Sequence, residues 1–376
     1  MNGFSRVETA FDEAVASGVF PGAVLLVNKD GQVVYHRAFG HRSLEPTATP
    51  MHEDTIFDVS SLTKPLATTV AFLFLVKERK FRLDDRVTRL FHNFGVHGKT
   101  HITFRHLLAH SSGLPAWRPY YKEILKVERG GRVNFLASQG AKDYVYDLIH
   151  REKPDHGPGE VAVYSDLNFM LLGDAIENIS GVSLDRFCQD RFFKPLALRA
   201  TSFVDLSLLR TRRLVPVFEM IAPTERCPWR KKILCGEVHD DNAYAMGGVA
   251  GHSGLFSSAR DLNVLVSTLR DCYHGRSDFL PQDLVREAFT RDPTVPHSSR
   301  TLGWDTPASQ GSQAGSRFSK NTVGHLGFTG TSVWLDLERN VHVILLSNRI
   351  HPSRENDRIK AFRPVVHDLV LEAVGL

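Results

Sequence analysis

The stretch Asp58-Val59-Ser60-Ser61-Leu62-Thr63-Lys64-Pro65 leads into an apolar run over residues 66–76, and its reading decides the fold. The run ends at Lys77 and is shorter than the 18 or so uncharged residues of a membrane span, so it predicts a buried helix. Ser61 and Lys64 are three positions apart and share one face of a helix that starts at Ser61. Helix amino ends carry unpaired N–H groups and partial positive charge. A hydroxyl nucleophile, a nitrogen base and anion-friendly donors are then gathered within one turn. Ser-x-x-Lys alone is a weak signal, since a capping serine and a surface lysine give the same pattern. Here it occurs once, where an extended segment enters an apolar helix.

Working outward, Phe4, Val7, Phe11, Ala14 and Val15 form a helical stripe over 4–17, stopped by Gly18. Residues 22–27 and 32–38 read as strands joined at Asp30-Gly31, a strong hairpin signal. Residues 40–56 read as a polar loop. Beyond the Ser61 helix, a short helix begins at Leu83. Further helices are expected at 102–108, 141–151, 167–179 and 184–193, and 201–242 reads as irregular. Strands return at 332–337 and 341–347, followed by a closing helix over 355–374. Strands at both ends with helices between predict an α/β (α+β) fold with an antiparallel β-sheet flanked by helices. Residues 1–60 and 245–376 would form the sheet domain. Residues 61–244 would be an inserted, mainly helical lobe, with the active site in the cleft between them.

The 376 residues are 42% hydrophobic and 23% charged, an ordinary globular composition. The net charge of +4 is scattered, and clusters such as Arg210-Thr211-Arg212-Arg213 read as solvated surface. Nothing resembles a basic groove with interleaved aromatics, so no nucleic-acid partner is expected, and no apolar run is long enough for a membrane span. Cys188, Cys227, Cys235 and Cys272 form no C-x-x-C pair and read as free thiols of a reducing compartment. The amino terminus shows no basic segment followed by an apolar one, so a cytoplasmic location is expected.

A serine hydroxyl needs a base to become a nucleophile. A partly buried lysine serves if its pKa is lowered, and a tyrosine can share or relay the proton. Val163-Tyr164-Ser165-Asp166-Leu167 places such a tyrosine in a loop before a helix, with Asp166 at the helix cap. Equally ordinary readings are a core aromatic and a capping aspartate. Gly324-His325-Leu326-Gly327-Phe328-Thr329-Gly330-Thr331-Ser332 precedes the carboxyl-terminal hairpin, and its glycines allow close backbone approach to a ligand. The backbone N–H groups of Ser61 and Phe328 would together receive a developing oxyanion.

Ser61-x-x-Lys64, Tyr164-Ser165-Asp166 and His325-Leu326-Gly327, in that order, resemble the three-motif active site of class C β-lactamases and their relatives, the penicillin-binding DD-peptidases and carboxylesterases of the same fold. The segments 102–114 and 247–257 are also similar to that family, and the resemblance spans about residues 5–373. It implies a β-lactamase/transpeptidase-like fold and an acyl-enzyme on Ser61. Lys64 would be the base, Tyr164 the proton relay and activator of the deacylating water, and Asp166, His325 and Gly327 substrate-binding residues. Two positions depart from the family pattern. Its second motif commonly ends in Asn. Asp166 would hold Lys64 charged unless it is protonated or turned away. Its third motif is often Lys-Thr-Gly, whose lysine and hydroxyl help bind a carboxylate. A partly charged His325 and an apolar Leu326 favour uncharged esters or amides over β-lactams or D-Ala-D-Ala peptides. The polar stretch 236–243 reads as a capped loop or as cleft lining.

The competing enzyme class is a metal hydrolase, because five of the eighteen histidines lie between His92 and His110. There is no H-E-x-x-H, and His106 and His110 read as a helix-end contact and a hydrogen-bonded core residue, so no metal or other cofactor is expected. The absence of G-x-S-x-G disfavours an α/β-hydrolase. The expectation is a serine hydrolase acting on a small-molecule ester, amide or β-lactam. The alternatives are a DD-peptidase or β-lactamase and, outside the enzymes, an acylatable binding or sensor protein. The oligomeric state is left open.

Overall fold

The computed structural model describes residues 3–131 and 134–376; Met1 and Asn2, part of the amino-terminal segment read above, lie outside the described residues. Six strands form the principal sheet: β1 (Gly22–Lys29), β2 (Gln32–Ser43), β3 (Thr49–Pro50), β4 (Thr322–Leu326), β5 (Ser332–Asp336) and β6 (Val341–Ser347). Their order is β3-β2-β1-β6-β5-β4, with every neighbouring pair antiparallel. The helices that frame the sheet and the site are α1 (Ser5–Ala16), α2 (Val70–Lys77), α3 (Asp166–Ser180), α4 (Ala259–Tyr273) and α5 (Ile359–Ala373).

Alternation along the strands separates two cores. Ala23, Leu25 and Val27 of β1 and Val343 and Leu345 of β6 face α1 and α5, where Phe11 and Phe362 meet edge to face at 5.2 Å. Val24, Leu26, Ile344 and Leu346 face the other way and join Leu262, Leu265 and Val266 of α4 in a core that continues through α2 and α3. The β1–β2 turn needs left-handed backbone at two successive residues. Asp30 (φ 53°) and Gly31 (φ 85°) supply it, as the sequence predicts.

Two local expectations are corrected and one is sharpened. Residues 40–56 are not wholly loop: β2 runs on to Ser43 and pairs with β3. The glycine-rich stretch before the hairpin contains β4, the edge strand next to the site. The helix expected from Ser61 is a tight turn at Ser60–Leu62, then a widened π-helical turn at Lys64–Thr69, then α2. Such wide turns are frequent at functional sites.

Candidate active site

Two small pieces of structure place Ser61. Phe57–Asp58 pairs with Leu255–Ser257, which holds the preceding segment extended. Ser60 then adopts left-handed backbone (φ 52°), uncommon for a residue with a side chain. Buried Asp58 secures it by accepting the Ser60 N–H at 2.8 Å and, through its other oxygen, the His239 N–H at 2.7 Å. The Asp58 and Val59 carbonyls accept the hydroxyls of Thr329 (2.7 Å) and Thr331 (3.0 Å), tying the Ser61 turn to the β4–β5 connection. Gly327 is required there: a Cβ would fall 2.6 Å from the Val59 oxygen and 2.0 Å from Thr331 Oγ1.

Lys64 is fully buried, and its Nζ lies 3.3 Å from Ser61 Oγ, 2.8 Å from Asp166 Oδ1 and 3.0 Å from the His252 carbonyl. Close backbone packing accompanies the last contact: Gly251 lies against Gly173 of α3, and a Cβ on Gly251 would fall 2.0 Å from the Phe169 carbonyl oxygen. Burial acts most strongly on Lys64 and opposes its charge, but Asp166 and Tyr164 outweigh burial, so its pKa is raised. Asp166 is therefore neither turned away nor its helix's cap. Ser165 holds the cap position, donating its hydroxyl to the Pro115 carbonyl (2.6 Å) and its N–H to His110 Nδ1 (3.0 Å). Tyr164 faces both Lys64 and Ser61. Burial, the largest influence, together with Asp166 raises its pKa against the neighbouring charge of Lys64 and the polar influence of Lys64 and Ser61. At rest the site thus holds an ammonium and a neutral phenol.

His325 is corrected in charge. Its Nδ1–H donates to the Leu326 carbonyl at 2.8 Å, and Nε2 is buried with no partner among the described residues. Burial first, then Lys64 and Arg300, push its pKa well below the usual histidine range, so it is neutral rather than partly charged at neutral pH. Its ring lies 5.9 Å from that of Tyr164.

Ser61, Tyr164, Asp166, His325, Gly327 and Phe328 line one cleft of about 760 Å³. The stretch 236–243 contributes His239, Asp240 and Asp241 to it, with the His239 ring stacked on Phe328 at 5.6 Å. Sequence reading missed Arg300. A short antiparallel pairing of Asp305 with Gly324 of β4 brings this segment to the sheet edge, and the Arg300 guanidinium sits 5.3 Å from the Tyr164 ring centre. Asp305 holds it at 3.2 Å. No local pattern marks Arg300, because its position depends on an edge pairing across some twenty residues. Trp117, 45% exposed, lines the cleft from the helical side and was also unmarked.

The histidines of 92–110 do not converge on a metal. His106 closes a capping box with Thr103, and His110 supports Ser165 beneath Tyr164. No group of three or more possible ligands is placed to hold a metal ion among the described residues.

Residues 7–365 match the profile of the Beta-lactamase family. The chain is 31% identical over 366 residues to an N-acetylmuramyl-L-alanine amidase from Bacillus subtilis (strain 168), covering 92% of this chain and 81% of that one. It is 32% identical over 353 residues to an Escherichia coli (strain K12) protein named "Putative D-alanyl-D-alanine carboxypeptidase", covering 88% and 79%. In fold it is similar to unliganded simvastatin synthase (LovD) from Aspergillus terreus (TM-score 0.73, 19% identity, 100% and 99% of the two chains). It is also similar to EstCE1, described as a hydrolase with promiscuous acyltransferase activity (TM-score 0.69, 22% identity, 96% and 98%).

Proposed function

The chain belongs to the Beta-lactamase family and is a serine hydrolase of that family, and on that premise we propose that it cleaves small carboxylic esters or amides through an acyl-enzyme on Ser61. The observation that carries this reading is the convergence of Ser61 Oγ, the buried Lys64 Nζ at 3.3 Å and the Tyr164 side chain in one cleft.

In the proposed reaction Ser61 Oγ attacks the substrate carbonyl carbon while its proton passes to Lys64 in the neutral form. Negative charge gathers on the carbonyl oxygen, where the Ser61 and Phe328 N–H groups receive it. Tyr164, protonated at rest, gives its proton to the departing alkoxide or amine as the carbon–heteroatom bond breaks. A water then attacks the acyl carbon, Tyr164 takes its proton, and Lys64 returns its own proton to Ser61 Oγ, which leaves as the hydroxyl. Because Asp166 holds Lys64 as an ammonium, the competent fraction is small at neutral pH and grows as pH rises.

A second reading concerns substrate. Arg300 offers a planar, two-pronged cation beside Tyr164, suited to a carboxylate. It favours a peptide or depsipeptide ending in a free carboxylate, in line with the name of the Escherichia coli relative, over the uncharged esters expected from His325-Leu326-Gly327 alone. Steady-state kinetics on a p-nitrophenyl ester, a D-alanyl-D-lactate depsipeptide and a penicillin test both readings. Turnover of the ester with little penicillin hydrolysis supports the first, and preference for the depsipeptide supports the second. No turnover of any, with stable acylation, would replace the enzyme by an acylatable sensor.

A further inference from the structure

Arg363 lies in α5, 5% exposed, and lines the cleft next to the turn that carries Phe328. One nitrogen of its guanidinium donates to the Gly327 carbonyl at 3.1 Å and to the Thr331 carbonyl at 2.8 Å. No carboxylate pairs with it among the described residues, and its Nε is buried without a partner. Burial, then the neighbouring charge of Arg349, lower its pKa to about 9, which leaves it cationic at neutral pH. A buried cation held only by backbone carbonyls is costly and calls for a compensating role. Arg349 does the same for the next peptide: Nε and Nη2 donate to the Phe328 carbonyl at 2.9 and 2.6 Å, with the cation 4.5 Å from the Phe328 ring centre.

The Gly327 carbonyl and the Phe328 N–H belong to one planar trans peptide and point in opposite directions. That carbonyl is held by Arg363 and by the Gly330 N–H at 3.1 Å, so the Phe328 N–H points away from both, and Phe328 lines the cleft beside Ser61. The Phe328 N–H has no acceptor within the described residues. We propose that Arg363 is a positioning residue for the oxyanion site: by holding the Gly327 carbonyl it fixes the Phe328 N–H toward the reacting oxygen, and its uncompensated charge strengthens that donor. The inference rests on the reading of Ser61 as the acylated nucleophile. It explains why a guanidinium without an acid partner sits under this turn.

The test compares an oxo ester with its thiono ester, p-nitrophenyl butyrate against O-(p-nitrophenyl) thionobutyrate, in the wild-type protein and in Arg363→Gln and Arg363→Lys. Sulfur fits an oxyanion site poorly, so only the oxo substrate depends on the donor's aim. In Arg363→Gln the oxo kcat is expected to fall about 10–100-fold with KM within about threefold, while the thiono kcat changes less than about threefold. The oxo-to-thiono ratio therefore collapses. Arg363→Lys keeps the charge but its shorter side chain brings the nitrogen less squarely onto both carbonyls, and its ratio falls part of the way. Equal loss on both substrates, or no loss, overturns the proposal, because a purely structural bolt would scale both rates together. Should Arg363→Gln fail to fold, Arg363→Lys decides: a ratio equal to that of the wild type refutes it. Ser61→Ala is measured alongside. If it retains turnover, the nucleophile reading fails. If it is inactive while the Arg363 variants keep the wild-type ratio, only the positioning inference fails.

Discussion

Lys64 Nζ and Asp166 Oδ1 lie 2.8 Å apart, the lysine fully buried and the aspartate half-buried where it lines the cleft. Where the family commonly has an uncharged Asn, this chain places a carboxylate on its proposed base. The pair stabilises the ammonium against the cost of burial and so opposes the role assigned to Lys64.

The sign of the pH dependence follows. The Lys64 pKa is raised, so kcat/KM is expected to climb with pH into the alkaline range. Asp166→Asn removes the main charge that raises it and leaves burial to lower it. The alkaline limb should shift toward acid by roughly one to three units, with relative activity at pH 7 increased. A pH–rate profile of the two proteins checks this, and coincident limbs would show that Asp166 does not govern the base.

Arg300 predicts a split between substrates. In Arg300→Gln, KM for a carboxylate-ended depsipeptide should rise about tenfold or more, the usual scale for losing a hydrogen bond to a charged group, while KM for a neutral ester stays within about twofold. An equal change on both would place Arg300 in support of Tyr164 instead.

Gly327→Ala tests the closeness of the two walls. The added Cβ meets the Val59 carbonyl, a backbone atom that cannot move aside without shifting the Ser61 turn. A kcat loss of about 100-fold or more is expected, the scale for an oxyanion donor moved out of place, with folding retained by circular dichroism. Wild-type kcat would contradict the packing.

Buried neutral histidines give a stability prediction. His342 donates to Asn263 Oδ1 at 2.9 Å and is pushed down to about 3 by burial, and His367 is pushed down to about 4. Their folded pKa values are depressed, so their contribution is present above the ordinary histidine range and is lost as pH falls from about 6.5 toward those values. His342→Gln should make unfolding free energy, measured in urea between pH 6.5 and 4.5, less steep by about 1.4 kcal/mol per pH unit. Parallel slopes would mean that His342 is not held neutral.

Much of this arrangement is legible in local sequence, where the cause is local. The β1–β2 hairpin follows from alternation and from Asp30-Gly31, and α1 from the Phe4-to-Val15 stripe. The three motifs carry their residue types wherever they stand. What sequence hides depends on distant chain. The extent of β4 is hidden because Gly324 weakens its strand signal; yet a Cβ on Gly324 would strike the Trp334 ring of the next strand. His325 looks half-charged until its burial against Lys64 and Arg300 is known. Arg300 and Arg363 carry no motif at all, because each is defined by the backbone it reaches across the fold.

Every step of the proposed reaction starts from acylation of Ser61. Incubating the protein with a fluorophosphonate, followed by proteolysis and peptide mass spectrometry, tests it most directly. The account predicts a single adduct on the peptide carrying Ser61, absent in Ser61→Ala and strongly slowed in Lys64→Ala. An adduct on another residue, or labelling that survives Ser61→Ala, would contradict it.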